Sequence, residues 1–561
     1  MRRRDFLTSC ASAAAAPAQQ IGDLVRLERP DLAGPAHRAV MGRNGVVATA
    51  DQHGSLAGMR MLLKGGNAVD AIVAAAATLN VTEPYMSGMG GFGGFLLMYV
   101  AKEKKVVALD MMGTSPAAAT IERFTERDCD EGYLAPIVPG SLLGWSAALE
   151  RYGTMKLAEV FEPAIDLAEN GFVVTRFDAL SFAATAEKLA RYPTTARVLL
   201  PKGRPPRAGE ILYQKDLGRS FRRVAAGGPE LFYRGELARQ VVSFLRERGG
   251  ILSQEDMAGF RVRWREPIRA SFAGHTIYAM PPGSCGMTML QILNVMEAFD
   301  LPKLDPYSVE FAHRWIEAVK LAFLDDDRYN TGKEVEIPVA RLISKEYAAE
   351  QRGRIDARKV AAFAGPRLPW EGTTSLAAAD RWGNVVAFTQ SLVSGFGSGV
   401  VVGDTGILLN NGHRYGFVLE RSHVNSLVGG QRAKGVMSPV LVFRGDRPVL
   451  GIGAAGGYTI PQTVGQAIVK FLLYGMDVQQ AIASPRMLVN RGAGRVPVGN
   501  EAQTYLEAGF PEAARAGLAR LGHRLAPPGN AGGVQGVAVD PETGALSGGA
   551  DPRRDGHAMA W

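Results

Sequence analysis

The chain has 561 residues, 47% of them hydrophobic and 21% charged, which is enough apolar mass for a large core and too little net charge density for a disordered chain. Its balance of 63 Lys+Arg against 55 Asp+Glu gives +8, but the basic residues are scattered, which argues for a solvated surface and against a nucleic-acid partner. No apolar run reaches the ~18 residues of a membrane span, and glycine, at 67 residues, is in excess without a collagen period.

In chain order, Arg3-Arg4-Asp5-Phe6-Leu7 and an alanine-rich stretch ending at Ala16-Pro17-Ala18 look like a twin-arginine export signal over residues 1–18. That signal predicts export to the periplasm; without it the protein would be cytoplasmic. Val46–Asp51 reads as a strand, Gly54–Ala77 as a thin alanine-rich helix, and Glu83–Phe95 as a glycine loop feeding the strand Phe95–Val100. Leu157–Asn170, restarting at Pro163, and Leu237–Arg248 read as amphipathic helices, Ser253 with Asp256 as a helix start, and Met287–Ala298 as a further helix. The basic, Pro/Gly-bearing stretch Arg354–Glu371 reads as a linker. Beyond it come short β-rich runs at Leu376–Ala379, Val385–Gln390, Val400–Val402, Ile407–Leu409, Val440–Arg444 and Val449–Ile452. Helices follow at Pro461–Leu473 and Val478–Ala483, so the class is mixed α/β with a glycine-rich sheet in the C-terminal third.

Several motifs fail on context. Gly88–Gly93 matches GxGxxG, but a strand rather than a helix follows it, so no dinucleotide site is expected. There is no Walker A lysine, HExxH or GxSxG. The eight histidines are dispersed, with His413 and His423 too far apart for a ligand pair, so neither a metal nor a cofactor is expected. Ser398 has no histidine base placed for it. Cys10, Cys129 and Cys285 cannot form a disulfide framework, and whether Cys129 and Cys285 pair stays open.

Gly372-Thr373-Thr374-Ser375 sits where the linker meets the β-rich third. A threonine hydroxyl needs a base, and its own α-amine can serve once the preceding peptide bond is cut. The surrounding stretches raise this reading: KGGNAVDA at Lys64–Ala71, EPYMSGMGG at Glu83–Gly91, VPGSLLGW at Val138–Trp145, GTTSLAAADRWGN at Gly372–Asn384, GILLNN at Gly406–Asn411, AAGG at Ala454–Gly457 and ADPRRDG at Ala550–Gly556. In this order they resemble the γ-glutamyltransferase family of N-terminal-nucleophile hydrolases over nearly the whole chain.

The resemblance implies a four-layer αββα sandwich built from two fragments of one precursor. A cut between Gly372 and Thr373 would leave a large fragment, 19–372, and a small one, 373–561, as partners. Thr373 would be the nucleophile, Ser391 its assisting hydroxyl, and Gly456 and Gly457 the oxyanion-hole donors. Four departures from the family, at five positions, all concern the charged head of a glutamyl substrate. Met112 stands where an arginine is expected, Gly435 and Val436 replace two serines, Tyr415 replaces an aspartate, and Val393 replaces an asparagine. The implied function is a self-processing amide hydrolase or acyltransferase acting on a small-molecule amide with a non-glutamyl acyl group, with His413 or Arg414 as alternative partners for a carboxylate. The rivals are a true glutathione hydrolase with substituted contacts and a non-catalytic binding protein on the same scaffold.

Overall fold

Strand Gly372–Asp380 alternates strictly: Leu376 and Ala378 enter one apolar cluster, Ala377 and Ala379 the other. A strand buried on both faces lies at the centre of a layered core, because successive side chains point to opposite faces. The computed structural model describes residues 38–362, 372–490, 503–526 and 532–561, of which Ala39–Trp561 belongs to one unit. The export signal expected at 1–18 and most of the linker's second half, 363–371, lie outside the described residues.

Two antiparallel seven-stranded sheets face each other. The first runs in the order His557–Ala560, Gly45–Thr49, Gly372–Asp380, Val385–Val393, Gly93–Val100, Lys105–Asp110, Arg263–Arg265. The second runs Val40–Gly42, Leu546–Ala550, Gly533–Val539, Arg447–Ala455, Val440–Arg444, His275–Ala279, Ile268–Phe272. Helices Gln52–Leu63, Ala68–Thr82 and Ser141–Tyr152 cover the outer face of the first sheet, and Leu157–Asn170 packs on Ala68–Thr82. Gly286–Glu297, Ile460–Leu473 and Val478–Ala483 cover the outer face of the second. The architecture is therefore α/β/β/α, as expected. Each sheet draws strands from both sides of position 372, which corrects the expectation of a sheet confined to the C-terminal third.

The expected helix Gly54–Ala77 is two helices. Gly65, at φ +92°, turns the chain, and Asn67 with Asp70 caps the second helix in a capping box. Every residue of Ala68–Thr82 is buried, and its run of alanines lets neighbouring elements approach closely. Leu157–Asn170 does not restart at Pro163 but runs through it, forgoing one backbone hydrogen bond while Val160, Phe161, Ala164 and Ile165 stay buried. Val400–Val402 and Ile407–Leu409 form no strand, only the isolated bridge Val401–Leu408. Glycines 399, 403 and 406 all take positive φ and curl that segment before a ladder can extend. The capping box at Ser253 and Asp256 forms as read. Cys129 and Cys285 are both buried free thiols.

Candidate active site

Thr373 and Ser391 pair across the central hairpin, and both project into the space between the sheets, on the same face as Ala377 and Ala387. Their hydroxyls are 3.2 Å apart. Ser391 Oγ donates to the carbonyl oxygen of Gly372 at 2.5 Å and accepts the N–H of Val393 at 2.8 Å. A serine hydroxyl has one proton, so the proton between the two hydroxyls belongs to Thr373 and points at Ser391. The register slips between Gly372 and Thr373, so that Gly372 faces Val393 and Thr373 faces Ser391. Val393 takes φ +90°, an outlier for a β-branched residue, in the segment that aims its N–H at Ser391. A side chain at position 372 would lie about 3 Å from the carbonyl oxygen of Tyr85 and the backbone of Ser394, so only glycine fits there.

The expected oxyanion pair lies along the opposing sheet. A Cβ on Gly451 would meet Val385, and one on Gly453 would meet Ser375 and Thr389. Moving along Arg447–Ala455 toward its C-terminal end thus moves along the hairpin toward Thr373 and Ser391, and the strand delivers Gly456 and Gly457 on that heading. Both take positive φ, +127° and +61°. Among the described residues no turn or loop carbonyl accepts the N–H of either.

On the other face of the Thr373 strand, Thr374 Oγ1 donates to Glu83 Oε2 at 2.7 Å. Burial pushes the Glu83 carboxyl up to about 8, against the opposing pull of Arg554. Arg554 donates to the carbonyl oxygen of Thr373 at 2.8 Å, and its guanidinium packs where a Cβ on Gly533 would stand. Neither Glu83 nor Arg554 was assigned a role from sequence. Both lie in stretches that carry the family resemblance, but nothing in their spacing indicates that they meet behind Thr373.

The substrate-binding candidates fall into two groups. Gly93 pairs with Ser391, and a Cβ on Gly93 would meet the Met112 backbone. The Met112 side chain in turn lies about 3 Å from where a Cβ on Gly435 would stand. Met112 is 1% exposed and Val436 packs on the same core cluster. Tyr415 faces the ring of Tyr458 at 6.1 Å, and Tyr458 directly follows Gly457. His413 and Arg414 face elsewhere. His413 Nδ1 lies 3.0 Å from the Leu134 carbonyl, and burial pushes its ring down to about 4, so it is uncharged at neutral pH. Arg414 forms an ion pair with Asp130 at 2.8 Å. Lys434 is buried beside the Tyr458 ring and bound to Asp326 at 2.6 Å. Ser398 Oγ is committed to the Leu409 carbonyl.

Folding also assembles His313, Glu317 and His523, whose donor atoms lie within 4.8 Å of one another, a cluster invisible in the linear spacing of histidines. These are the residues placed to hold a metal among those described, but their donors are engaged. His313 bonds His523 and the Asp356 carbonyl, each at 2.7 Å, and Glu317 bonds Lys320.

Residues 54–561 match the family model described as gamma-glutamyltranspeptidase. The chain belongs to that family. It is 36% identical to the acylase ACY 1 proenzyme of Pseudomonas sp. (strain SE83), over 92% of this chain and 94% of that one. It is also 36% identical to the glutathione hydrolase-like YwrD proenzyme of Bacillus subtilis (strain 168), over 93% and 99%. Among solved structures it resembles the cephalosporin acylase from Bacillus halodurans, with a TM-score of 0.86 and 33% identity over 95% of this chain and 99% of that one. The family member is thus an N-terminal-nucleophile hydrolase acting on amide bonds, and acylases and glutathione hydrolases both stand among its relatives.

Proposed function

We propose that the chain is a self-processing threonine amidohydrolase whose acyl group is not glutamyl. The observation that carries this reading is the Thr373–Ser391–Gly372 contact: a nucleophile hydroxyl, an assisting hydroxyl and the carbonyl to be attacked, held together inside the sandwich.

In self-cleavage, Thr373 Oγ1 adds to the Gly372 carbonyl carbon while Ser391 Oγ–H supports the developing oxyanion. Collapse breaks the Gly372–Thr373 C–N bond as the nitrogen gains the proton that the Thr373 hydroxyl gave up through Ser391, leaving a free amine and an ester, and water hydrolyses that ester to the Gly372 carboxylate and the Thr373 hydroxyl. The freed α-amine of Thr373 then serves as base in turnover. It takes the Thr373 hydroxyl proton as the oxygen attacks a substrate amide, and passes it to the departing amine. Gly456 and Gly457 N–H groups stabilise the tetrahedral oxyanion, and water releases the acyl group from Thr373. Transfer to an amine follows the same path with a different nucleophile.

The non-glutamyl reading rests on the pocket wall. An α-amino-acid head needs opposite charges in a closed site. Met112 and Gly435 offer none, the Tyr415 ring faces Tyr458, Arg414 and Lys434 are each held by a carboxylate, and Arg554 is engaged by the Thr373 carbonyl oxygen behind the hairpin. Denaturing electrophoresis with fragment masses should give two pieces meeting at Gly372/Thr373, and a single chain for Thr373→Ala. The split enzyme should hydrolyse simple N-acyl amides in preference to a γ-glutamyl anilide; the reverse order would assign it to glutathione hydrolysis.

A further inference from the structure

Arg554 is the cationic side chain that the described structure places on the backbone of Thr373 itself. Covalent geometry puts the Thr373 nitrogen about 3 Å from its own carbonyl oxygen, so the guanidinium lies within about 6 Å of that nitrogen. We infer that the Arg554 guanidinium, held on the Thr373 carbonyl oxygen, lowers the affinity of the neighbouring Thr373 α-amine for protons, so that the amine is unprotonated near neutral pH and free to take the hydroxyl proton. This inference rests on the Thr373 reading above and deepens it.

The surrounding charges decide how far the cation acts. Glu83, at the end of helix Ala68–Thr82, accepts the Thr374 hydroxyl, and its burial favours the protonated form against the pull of Arg554. Asp51, after strand Gly45–Thr49, is engaged by His53 and Thr82. Asp178, on helix Arg176–Ala190, accepts the Tyr85 hydroxyl at 2.6 Å and the Thr175 N–H. On Arg554's own loop, Asp555 accepts the Thr175 hydroxyl at 2.5 Å, while Asp551 and Arg553 are tied to Arg486 and Glu507. From the strand beside Thr373 the facing group is the Ser391 hydroxyl, which carries no charge, and beyond the glycine pair stands Tyr458, with the ion-paired Lys434 5.4 Å from its ring. A cation at such a distance, at the effective dielectric of a protein site, lowers a neighbouring amine by about 1–2 pH units.

The test titrates the amine directly. Self-cleaved wild-type enzyme is treated with cyanate across pH, and carbamylation of Thr373 is read from the mass of the small fragment's N-terminal peptide. The expected midpoint lies about 1–2 units below the ordinary α-amine range of about 7.7–8.0, and the acid limb of kcat/KM falls at the same pH. Arg554→Gln should move both upward by about 1–2 units, Arg554→Lys by less, and Glu83→Gln should move neither. A wild-type midpoint in the ordinary range overturns the inference. So does an Arg554→Gln enzyme that loses rate equally at all pH. A downward shift in Glu83→Gln shows that Glu83 is ionised and cancels the cation, which also overturns it. A chain that never splits at Gly372/Thr373 presents no such amine, and sinks the Thr373 reading itself.

Discussion

Ser391 gives its one hydroxyl proton to the carbonyl oxygen of Gly372, and by doing so it receives the proton of Thr373. In the proposed self-cleavage the bond to be cut is therefore polarised by the same side chain that orients its attacker. The strained backbone at Val393, whose N–H fixes Ser391, holds this arrangement in place.

Ser391→Ala should slow self-cleavage by about 100-fold, the usual effect of deleting one donor to a developing oxyanion. Ser391→Thr should retain most of the rate. The measurement is the decay of intact chain after refolding or synthesis, followed by electrophoresis. A Ser391→Ala chain that splits as fast as wild type would remove Ser391 from the chemistry.

Met112→Ala should affect substrate choice without affecting cleavage. The thioether fills the space in front of Gly435, so truncation opens room for a bulkier acyl group, raising kcat/KM for larger N-acyl amides relative to smaller ones. Removing a side chain that is 1% exposed should also cost about 2–5 kcal/mol, read as a lowered Tm. Unchanged selectivity would place Met112 outside the acyl pocket.

Stability should fall as pH drops from about 6.5 toward 4. His413 is held below its ordinary value by burial, so in that window the unfolded chain binds a proton that the folded chain refuses. Its contribution is full above pH 6.5 and is lost on acidification, at most about 3 kcal/mol by pH 4. His413→Phe cannot titrate, so its Tm should fall less steeply than wild type over the same range. Parallel curves would assign the acid loss to other groups.

The strand hairpin around Thr373 was legible because alternation, a turn at Asp380–Asn384 and the Gly-Thr junction coincide within one short stretch. Helix Val478–Ala483 matches its expected bounds because Asp477 supplies a local cap that needs no distant partner. The break at Gly65 was missed because an apolar period continues across it, and only the positive φ reveals the turn. Val400–Val402 and Ile407–Leu409 have strand composition, yet three glycines between and beside them dictate the backbone instead.

The sequence by itself supplied the candidates for the chemistry: Thr373 after a glycine, a hydroxyl at 391, a glycine pair at 456–457, and an apolar residue at 112 where the family resemblance implies an arginine. Those properties are chemical and local, so they survive in one dimension. Only the tertiary structure decided what stands around them. Glu83 and Arg554 lie 290 and 181 residues from Thr373 in the chain, yet the pairing of sheet strands from both ends of the chain places them at its back. Their charges matter because burial removes the water that would screen them, and burial is a property of the packed sheets that no local stretch encodes.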